Sequence, residues 1–264
     1  MRRLLCLFAI PSALYAAEPI AVSLSGQPGP YTVAQWKHDW PGCAFEDGVK
    51  QGRISIAKRD GQRWLHVAYT PAAIGPEDNG AGWRYPFRQR EAAELTYSIY
   101  FMKDFEWVKG GKLPGLCGGP DNVSGGRPAT GTNGWSARLM WRADGRGEAY
   151  VYHKNQPSNY GESFPFPATF RFPTEMPLRV RLAVIMNHPG KRDGVLRVWL
   201  AAGAQAEQLM VERTDLEWRS VPTFGVDSIY FETFYGGSGP DWAPTRLGWA
   251  EFGDFKVAAG SPKR

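Results

Sequence analysis

Alternation of apolar and polar residues is the dominant pattern in the middle of the chain. It runs through Ser136–Arg142 and again through Glu148–Lys154, with the short segment Ala143–Gly147 between them. A period of two residues is typical of strands that bury one face and expose the other. The two segments therefore predict a β-hairpin.

The same alternation predicts the register of this hairpin. A loop of three or five residues would place Arg138 directly opposite Tyr150 or Tyr152. A slip by one residue would bring Trp141 onto the tyrosine face, which the hydrophobic pattern disfavours. We therefore expect a guanidinium, two phenols and the hydroxyl of Ser136 on one face, with Trp141 buried beneath.

Strand patterns continue towards both ends of the chain. Asp60 and Gly61 lie between two alternating runs, Arg53–Lys58 and Arg63–Tyr69, and predict a tight hairpin. A strand is also expected at Tyr31–Trp36, and neither an amphipathic helix nor a repeat of about 20 to 50 residues is recognisable. Further strands are predicted at Glu94–Phe101, Leu178–Asn187, Val195–Ala201, Ser228–Tyr235 and Gly248–Val257.

About a dozen short strands, together with 31 glycines and 21 prolines, favour an all-β fold. The expected architecture is a β-jelly roll, a sandwich of two antiparallel sheets. A chain of this length commonly forms one domain when it is all β. We expect residues 18–264 to form that single domain.

The N-terminus carries a different pattern. Arg2 and Arg3 precede the apolar run Leu4–Ile10, and small residues follow at Ala16 and Ala17. This order is typical of a secretory signal peptide, and the run is too short for a membrane span of about 20 apolar residues. We expect residues 1–17 to be removed and the product to be secreted or periplasmic, without a membrane partner.

The charge balance excludes some partners and suggests another. The chain has 31 Lys and Arg against 26 Asp and Glu, a basic excess too mild for a nucleic-acid-binding protein. An acidic substrate fits better, because basic residues concentrate in the central stretch. These are Lys109, Lys112, Arg127, Arg138, Arg142 and Arg146.

Metal and cysteine chemistry give weaker signals. No cluster of metal-ligating residues has a recognisable spacing, so we expect no cofactor, with a structural calcium ion left open. Cys43 and Cys117 remain after signal removal. They could pair in an oxidising compartment or stay as free thiols, and the sequence does not decide between these states. The oligomeric state is likewise not predicted.

The central motifs resemble one family of enzymes. The segments F-E-W-V-K-G-G-K-L-P-G-L, S-A-R-L-M-W-R and G-E-A-Y-V-Y are similar to polysaccharide lyase family 14, the alginate and polyglucuronate lyases of algal viruses and marine molluscs. Two later segments, I-M-N-H-P-G-K-R-D-G-V-L and F-E-T-F-Y-G-G-S-G-P-D-W-A-P, extend the resemblance from Tyr97 to Phe255. It implies a concanavalin-like jelly roll with a substrate cleft on its concave sheet, and an acidic polysaccharide as the partner.

The resemblance also implies roles for individual residues. The functional lysine, serine, arginine and two tyrosines of the family fall on Lys112, Ser136, Arg138, Tyr150 and Tyr152. Lys112 lies in the glycine- and proline-rich segment G-G-K-L-P-G, which we expect to form a loop.

Three further residues are expected to bind substrate in the cleft, namely Arg142, Asn187 and Tyr235. One position departs from the family, because Glu232 stands where a small hydroxyl residue is usual. The resemblance implies that a carboxylate at this position disfavours a polyanion or changes the substrate preference.

Cleavage of a 4-linked uronate by β-elimination requires three groups. One neutralises the C6 carboxylate, one removes the C5 proton, and one protonates O4 of the leaving sugar. Arg138 suits the first task because it offers paired donors, and Ser136 can add a hydroxyl. We expect Lys112 to supply positive charge while a tyrosine of lowered pKa moves the proton, and Lys112 as the base is the alternative.

Other classes of protein compete with this interpretation. A non-catalytic carbohydrate-binding jelly roll would keep Arg138 but has no need for Lys112 and the tyrosines. A β-glucan hydrolase needs two carboxylates in a defined arrangement, and no E-x-D-x-x-E run is present. The plainest alternative is an ion pair between Arg138 and Glu148 beside tyrosines that only pack. The sequence favours a polysaccharide lyase acting on alginate or a β-1,4-glucuronan.

Overall fold

The computed structural model describes residues 18–259, so the predicted signal peptide lies outside the described residues. Within this range the chain forms fifteen strands, two short α-helices and two single-turn 3₁₀ helices at Ala143–Gly145 and Pro240–Trp242. In chain order the strands and α-helices are β1 (Ile20–Ala21), β2 (Gly29–Pro30), α1 (Val33–Asp39), β3 (Ile54–Arg59), β4 (Gln62–Tyr69), α2 (Gly75–Asp78), β5 (Ala81–Arg90), β6 (Ala92–Phe101), β7 (Gly110–Gly118), β8 (Trp135–Arg142), β9 (Gly147–Tyr152), β10 (Glu162–Pro165), β11 (Leu178–Ile185), β12 (Gly194–Ala202), β13 (Gln208–Leu216), β14 (Val226–Tyr235) and β15 (Gly248–Ala259).

The strands form two antiparallel sheets. The larger sheet has the order β13-β12-β11-β6-β15-β4-β3-β2, with β1 paired to β15. The smaller sheet has the order β10-β9-β8-β7-β14-β5. Neighbours in both sheets run antiparallel. This architecture confirms the prediction of an all-β sandwich of jelly-roll type.

Aromatic side chains fill much of the space between the sheets. Trp40, which is fully buried, lies 5.2 Å from Trp83, 5.8 Å from Phe231 and 5.3 Å from Phe255 between ring centroids. These separations are typical of packed aromatic pairs, which add specific geometry to the burial of apolar area. The aromatic core holds the smaller sheet rigidly against the larger one.

Both predicted hairpins are confirmed. Arg59 pairs with Gln62 across Asp60 and Gly61, whose positive φ values of 51° and 80° match a two-residue turn of the primed type.

The central hairpin joins β8 to β9 and places Arg138 directly opposite Tyr150. Trp141 is fully buried on the other face of β8, as the parity of the strand predicts. The hydrophobic pattern therefore predicted the shared face correctly, and the structure decides between the two registers it left open.

The strand predicted at Tyr31–Trp36 is wrong, because the chain forms helix α1 there. The side chain of Thr32 accepts a hydrogen bond from the backbone of Gln35 at 3.2 Å, and Gln35 Oε1 accepts one from the backbone of Thr32 at 2.8 Å. This capping box stabilises the first turn of the helix. The T-x-x-Q spacing was a readable signal for it.

Strand β7 corrects a second expectation, since its residues were expected to form a glycine-rich loop. The register between β7 and β8 shifts between Leu113 and Gly115, so Pro114 lies in a β-bulge. Leu113 and Leu116 are both buried in the core although their parities differ. The bulge resolves this conflict and leaves Lys112 on the outer face of the sheet.

Two glycines of β7 are required by close packing rather than by turns. A Cβ atom at Gly115 would lie 1.9 Å from the carbonyl oxygen of Ala137, and one at Gly111 would lie 2.0 Å from the ring of Trp141. Neither site has room for a side chain. Strand β7 can therefore approach β8 and the core closely on both sides of Lys112.

The described cysteines are both free. Cys117 is buried in β7, and Cys43 is half-buried in the loop after α1. None of the helices in residues 18–259 has the length and apolar character needed to cross a membrane.

Candidate active-site cleft

The outer face of the smaller sheet forms the floor of a cleft of about 650 Å³. Strands β7, β8, β9 and β14 supply the floor, and the segments around residues 45–47, 122–127, 160 and 236–242 form its walls. The polar residues that line it on the sheet are Lys112, Arg138, Arg142, Tyr150, Tyr152 and Glu232. The structure thus brings together most of the predicted site residues.

Arg138 lies at the centre of this floor and is only 1% exposed. Its Nη1 donates a hydrogen bond to the carboxylate of Glu232, and its guanidinium lies 4.7 Å from the ring centroid of Tyr230. Its Nε and Nη2 atoms are buried and have no hydrogen-bond partner. Because an unpaired buried donor is costly, this free edge marks a place for an acceptor from outside the chain.

The alternative pairing of Arg138 with Glu148 is wrong. Glu148 instead accepts a hydrogen bond from Nη2 of Arg142 at 2.6 Å. Arg142 is half-buried, lines the cleft and lies 6.0 Å from the ring centroid of Trp242. It therefore adds positive charge and one edge of an aromatic wall to the cleft.

Lys112 projects from β7 into the cleft beside Arg138 and Arg142. Its Nζ lies 4.1 Å from the ring centroid of Tyr150 and 3.0 Å from Sδ of Met140, a weak acceptor. Burial lowers the pKa of Lys112 well below its usual value, and the charges of Arg138 and Arg142 lower it further. These surroundings favour the neutral amine, which can accept a proton.

The two tyrosines lie side by side, with ring centroids 5.7 Å apart in an edge-to-face arrangement. The hydroxyl oxygen of Tyr150 accepts a hydrogen bond from the backbone of Gly161 at 3.1 Å, and that of Tyr152 accepts one from Gly126 at 3.2 Å.

Burial raises the pKa of Tyr150, the proximity of Tyr152 raises it further, and the lowering effect of Arg138 is smaller. The phenol is therefore neutral over the usual pH range, which suits a proton donor. This differs from the expectation that neighbouring cations would lower a tyrosine pKa, since burial outweighs their charge.

Ser136 lies beneath the cleft surface rather than in it. It is fully buried, and its Oγ donates to the carbonyl oxygen of Val123 at 2.8 Å. This bond holds the loop from which Gly126 reaches the hydroxyl of Tyr152. In this geometry Ser136 positions the site instead of touching a bound chain.

Two residues expected in the cleft are not there, and that prediction is wrong. Asn187 follows β11 in the other sheet, where its Nδ2 donates to the carbonyl of Arg219 at 2.8 Å and its Oδ1 accepts from the backbone of Trp218 at 2.9 Å. Tyr235 is fully buried against Trp141, with ring centroids 5.2 Å apart.

The parity of β14 explains the position of Tyr235. Tyr230 contacts Arg138 on the outer face, and Glu232 and Phe234 line the cleft. Residues of odd number on this strand point into the core, as the full burial of Phe231 shows. The alternation was visible in the sequence and would have predicted Tyr230 in place of Tyr235.

Acidic residues gather at the β5 end of the cleft, and of these the sequence reasoning noted only Glu232. Asp47 and Glu77 line this end together with Glu232. A Cβ atom added at Gly82 would lie 3.4 Å from Cγ of Glu232 and 3.5 Å from Oδ2 of Asp47, so the two carboxylates converge on one glycine. Within residues 18–259, no group of three or more His, Cys, Asp or Glu residues is placed to hold a metal ion.

A jelly roll whose open sheet holds an arginine, a lysine and paired tyrosines in one cleft can bind an anionic substrate and transfer protons to and from it. The family model described as Polysaccharide lyase 14 matches residues 57–255, and the chain belongs to this family. It is accordingly a polysaccharide lyase.

Solved structures agree with this assignment. The PL-14 alginate lyase from Aplysia kurodai is 26% identical, with a TM-score of 0.80 over 92% of this chain and 99% of that one. The alginate lyase vAL-1 from Chlorella virus is 21% identical, with a TM-score of 0.66 over 78% and 89%. The endo-β-1,4-glucuronan lyase from the fungus Trichoderma reesei is 12% identical and shares the fold, with a TM-score of 0.58 over 92% and 95%. No curated protein sequence matches the chain significantly.

Proposed function

We propose that the protein cleaves a 4-linked polyuronate, of the alginate or β-1,4-glucuronan class, by β-elimination in this cleft. The observation that carries the proposal is the free, buried edge of Arg138 beside Lys112 and Tyr150. An Nε–Nη2 edge matches the two oxygens of a carboxylate. Alginate and glucuronan lyases among the similar structures support an acidic polysaccharide as substrate.

Arg138 would bind the C6 carboxylate of the sugar that loses its proton. The bond disperses the negative charge that builds up on the carboxylate when C5 is deprotonated. The contacts with Glu232 and Tyr230 already fix the orientation of the guanidinium before the substrate binds.

Lys112 and Tyr150 would divide the proton transfers. The neutral amine of Lys112 takes the C5 proton, the C4–C5 double bond forms, and the C4–O4 bond breaks. Tyr150 donates its phenolic proton to O4 of the leaving sugar. The ammonium of Lys112 then returns a proton to the phenolate through water, since both groups line the same cleft.

The proposed function also includes export of the enzyme, a single catalytic domain, and residues that support the bound chain. Residues 1–17 act as a signal peptide, which makes the lyase secreted or periplasmic, and residues 18–264 act as one domain. Arg142 and Trp242 support the bound chain at the edge of the cleft. Tyr152 and Ser136 hold the loop and the ring of Tyr150 in place.

The direct test is incubation of residues 18–264 with alginate, polymannuronate, polyguluronate, glucuronan and pectate. We expect ultraviolet absorbance of the unsaturated product to rise with at least one of these polymers. Binding to an acidic polymer with no rise in absorbance on any of them would contradict the proposal and point to a carbohydrate-binding protein.

The pH dependence of kcat/KM tests the role of Lys112. A base must be deprotonated, so activity should rise with pH through the lowered pKa of Lys112 and reach its plateau below the usual lysine range of about 10.4. Arg142→Gln removes a charge that lowers this pKa and should move the rising limb to higher pH. Glu148→Gln removes a charge that raises it and should move the limb to lower pH. Limbs that do not move in opposite directions would exclude Lys112 as the titrating base.

A further inference from the structure

We propose that Glu232 is a specificity-determining residue, which makes the cleft prefer a chain whose uronates alternate with sugars that carry no carboxylate. The inference rests on the proposed β-elimination at a 4-linked uronate, and it makes an alternating polymer, rather than a homopolyuronate, the preferred substrate of that reaction. In this arrangement one uronate carboxylate binds Arg138, and the neighbouring sugar on the β5 side lies over Glu232 and Asp47.

Arg138 has room for only one carboxylate of the substrate. Only 1% of Arg138 is exposed, and its Nη1 already donates a hydrogen bond to Glu232. The free Nε and Nη2 atoms can bind one carboxylate. Once a uronate carboxylate is bound, the guanidinium is shared between two carboxylates, so the three groups together carry one net negative charge and do not attract a second anionic sugar.

Charge is distributed unevenly along the cleft, with cations at one end and carboxylates at the other. Lys112, Arg138 and Arg142 lie towards β8, whereas Glu232, Asp47 and Glu77 line the β5 end. The side chains of Asp47 and Glu232 converge on Gly82, and burial together with the nearby charge of Glu232 raises the pKa of Asp47.

A homopolymer with one carboxylate on every sugar fits this distribution poorly. Its next carboxylate towards β5 would meet Glu232 and Asp47, and like charges brought together at a binding surface are strongly unfavourable. A sugar with only hydroxyl or acetamido groups avoids this repulsion. Its hydroxyls can donate hydrogen bonds to the same carboxylates. The β5 end therefore rejects a uronate and accepts an uncharged sugar.

Matched substrates test the inference with the uronate held constant. Glucuronan carries a carboxylate on every sugar, whereas N-acetylheparosan and hyaluronan alternate a 4-linked glucuronate with an uncharged sugar. We expect the wild-type enzyme to have a higher kcat/KM on at least one alternating polymer than on glucuronan. Glu232→Gln keeps an acceptor for Arg138 and should raise kcat/KM on glucuronan about tenfold, because like-charge repulsion is removed.

Two further variants complete the design. Asp47→Asn should also raise kcat/KM on glucuronan, and it supplies the test if Glu232→Gln does not fold. Glu217→Gln is the control, because Glu217 is a buried carboxylate outside the cleft that accepts a hydrogen bond from Lys154 at 2.6 Å. It should leave the ratio of the two rates unchanged.

The outcomes separate this inference from the proposed function. Cleavage of glucuronan as fast as the alternating polymers, with no gain in either variant, overturns the inference and leaves the lyase activity intact. A preference for alternating polymers that neither variant alters also overturns the role of Glu232. Absence of an unsaturated product from every polymer would instead remove the proposed function itself.

Discussion

Replacement of Lys112 by arginine is expected to abolish β-elimination, although the side chain keeps its positive charge. Arginine stays protonated at every practical pH and cannot accept the C5 proton. Burial and the charges of Arg138 and Arg142 lower the pKa of Lys112, which favours the neutral amine that a base requires. Loss of a general base typically costs about 10²–10⁴-fold in rate. Initial elimination rates of the folded variant, with its melting temperature as a check on folding, measure the effect.

Tyr150→Phe should cause a loss of similar size, because it removes the proton donor while keeping the ring that packs beside Lys112. Tyr152→Phe is the matched control. Tyr152 is 1% exposed and its hydroxyl is held by the backbone of Gly126, so a smaller loss is expected. An active Lys112→Arg beside an inactive Tyr150→Phe would reverse the assignment and make the tyrosine the base, as the sequence alone had led us to expect.

The sequence predicted one half of the site because that half lies on a single hairpin. Strand parity and an apolar pattern were enough to bring Arg138, Tyr150 and Tyr152 onto one face. The same rule applied to β14 would have moved Tyr235 into the core. Asn187 was misplaced for a different reason, because polar residues at a strand end serve the backbone as often as they serve a ligand.

The other half of the site depends on contacts that no local pattern contains. Arg138 and Glu232 are 94 residues apart and meet because β8 and β14 pair with opposite edges of β7 in the smaller sheet. Lys112 reaches the cleft through the bulge at Pro114, which the sequence presented as a glycine-rich turn. The pKa directions of Lys112 and Tyr150 follow from burial, and burial is a property of the folded chain.

Arg138→Met is expected to remove both activity and a large part of the stability. From its strand position alone, Arg138 would be a half-exposed residue whose loss affects folding little. The structure shows instead an arginine 1% exposed in an ion pair with Glu232, which is itself 5% exposed. Breaking such a pair leaves the carboxylate buried without a counterion, at a cost of about 3–5 kcal/mol.

The double variant Arg138→Met/Glu232→Gln separates the two roles of the arginine. Removing both charges should restore most of the lost stability, because no unpaired buried charge is left. Activity should stay absent, because nothing then neutralises the C6 carboxylate of the substrate. Urea unfolding and elimination rates of the wild type, Arg138→Met, Glu232→Gln and the double variant measure the coupling between the two residues. Recovery of turnover in the double variant would mean that Arg138 serves only to balance Glu232, and the carboxylate site would then have to lie elsewhere in the cleft.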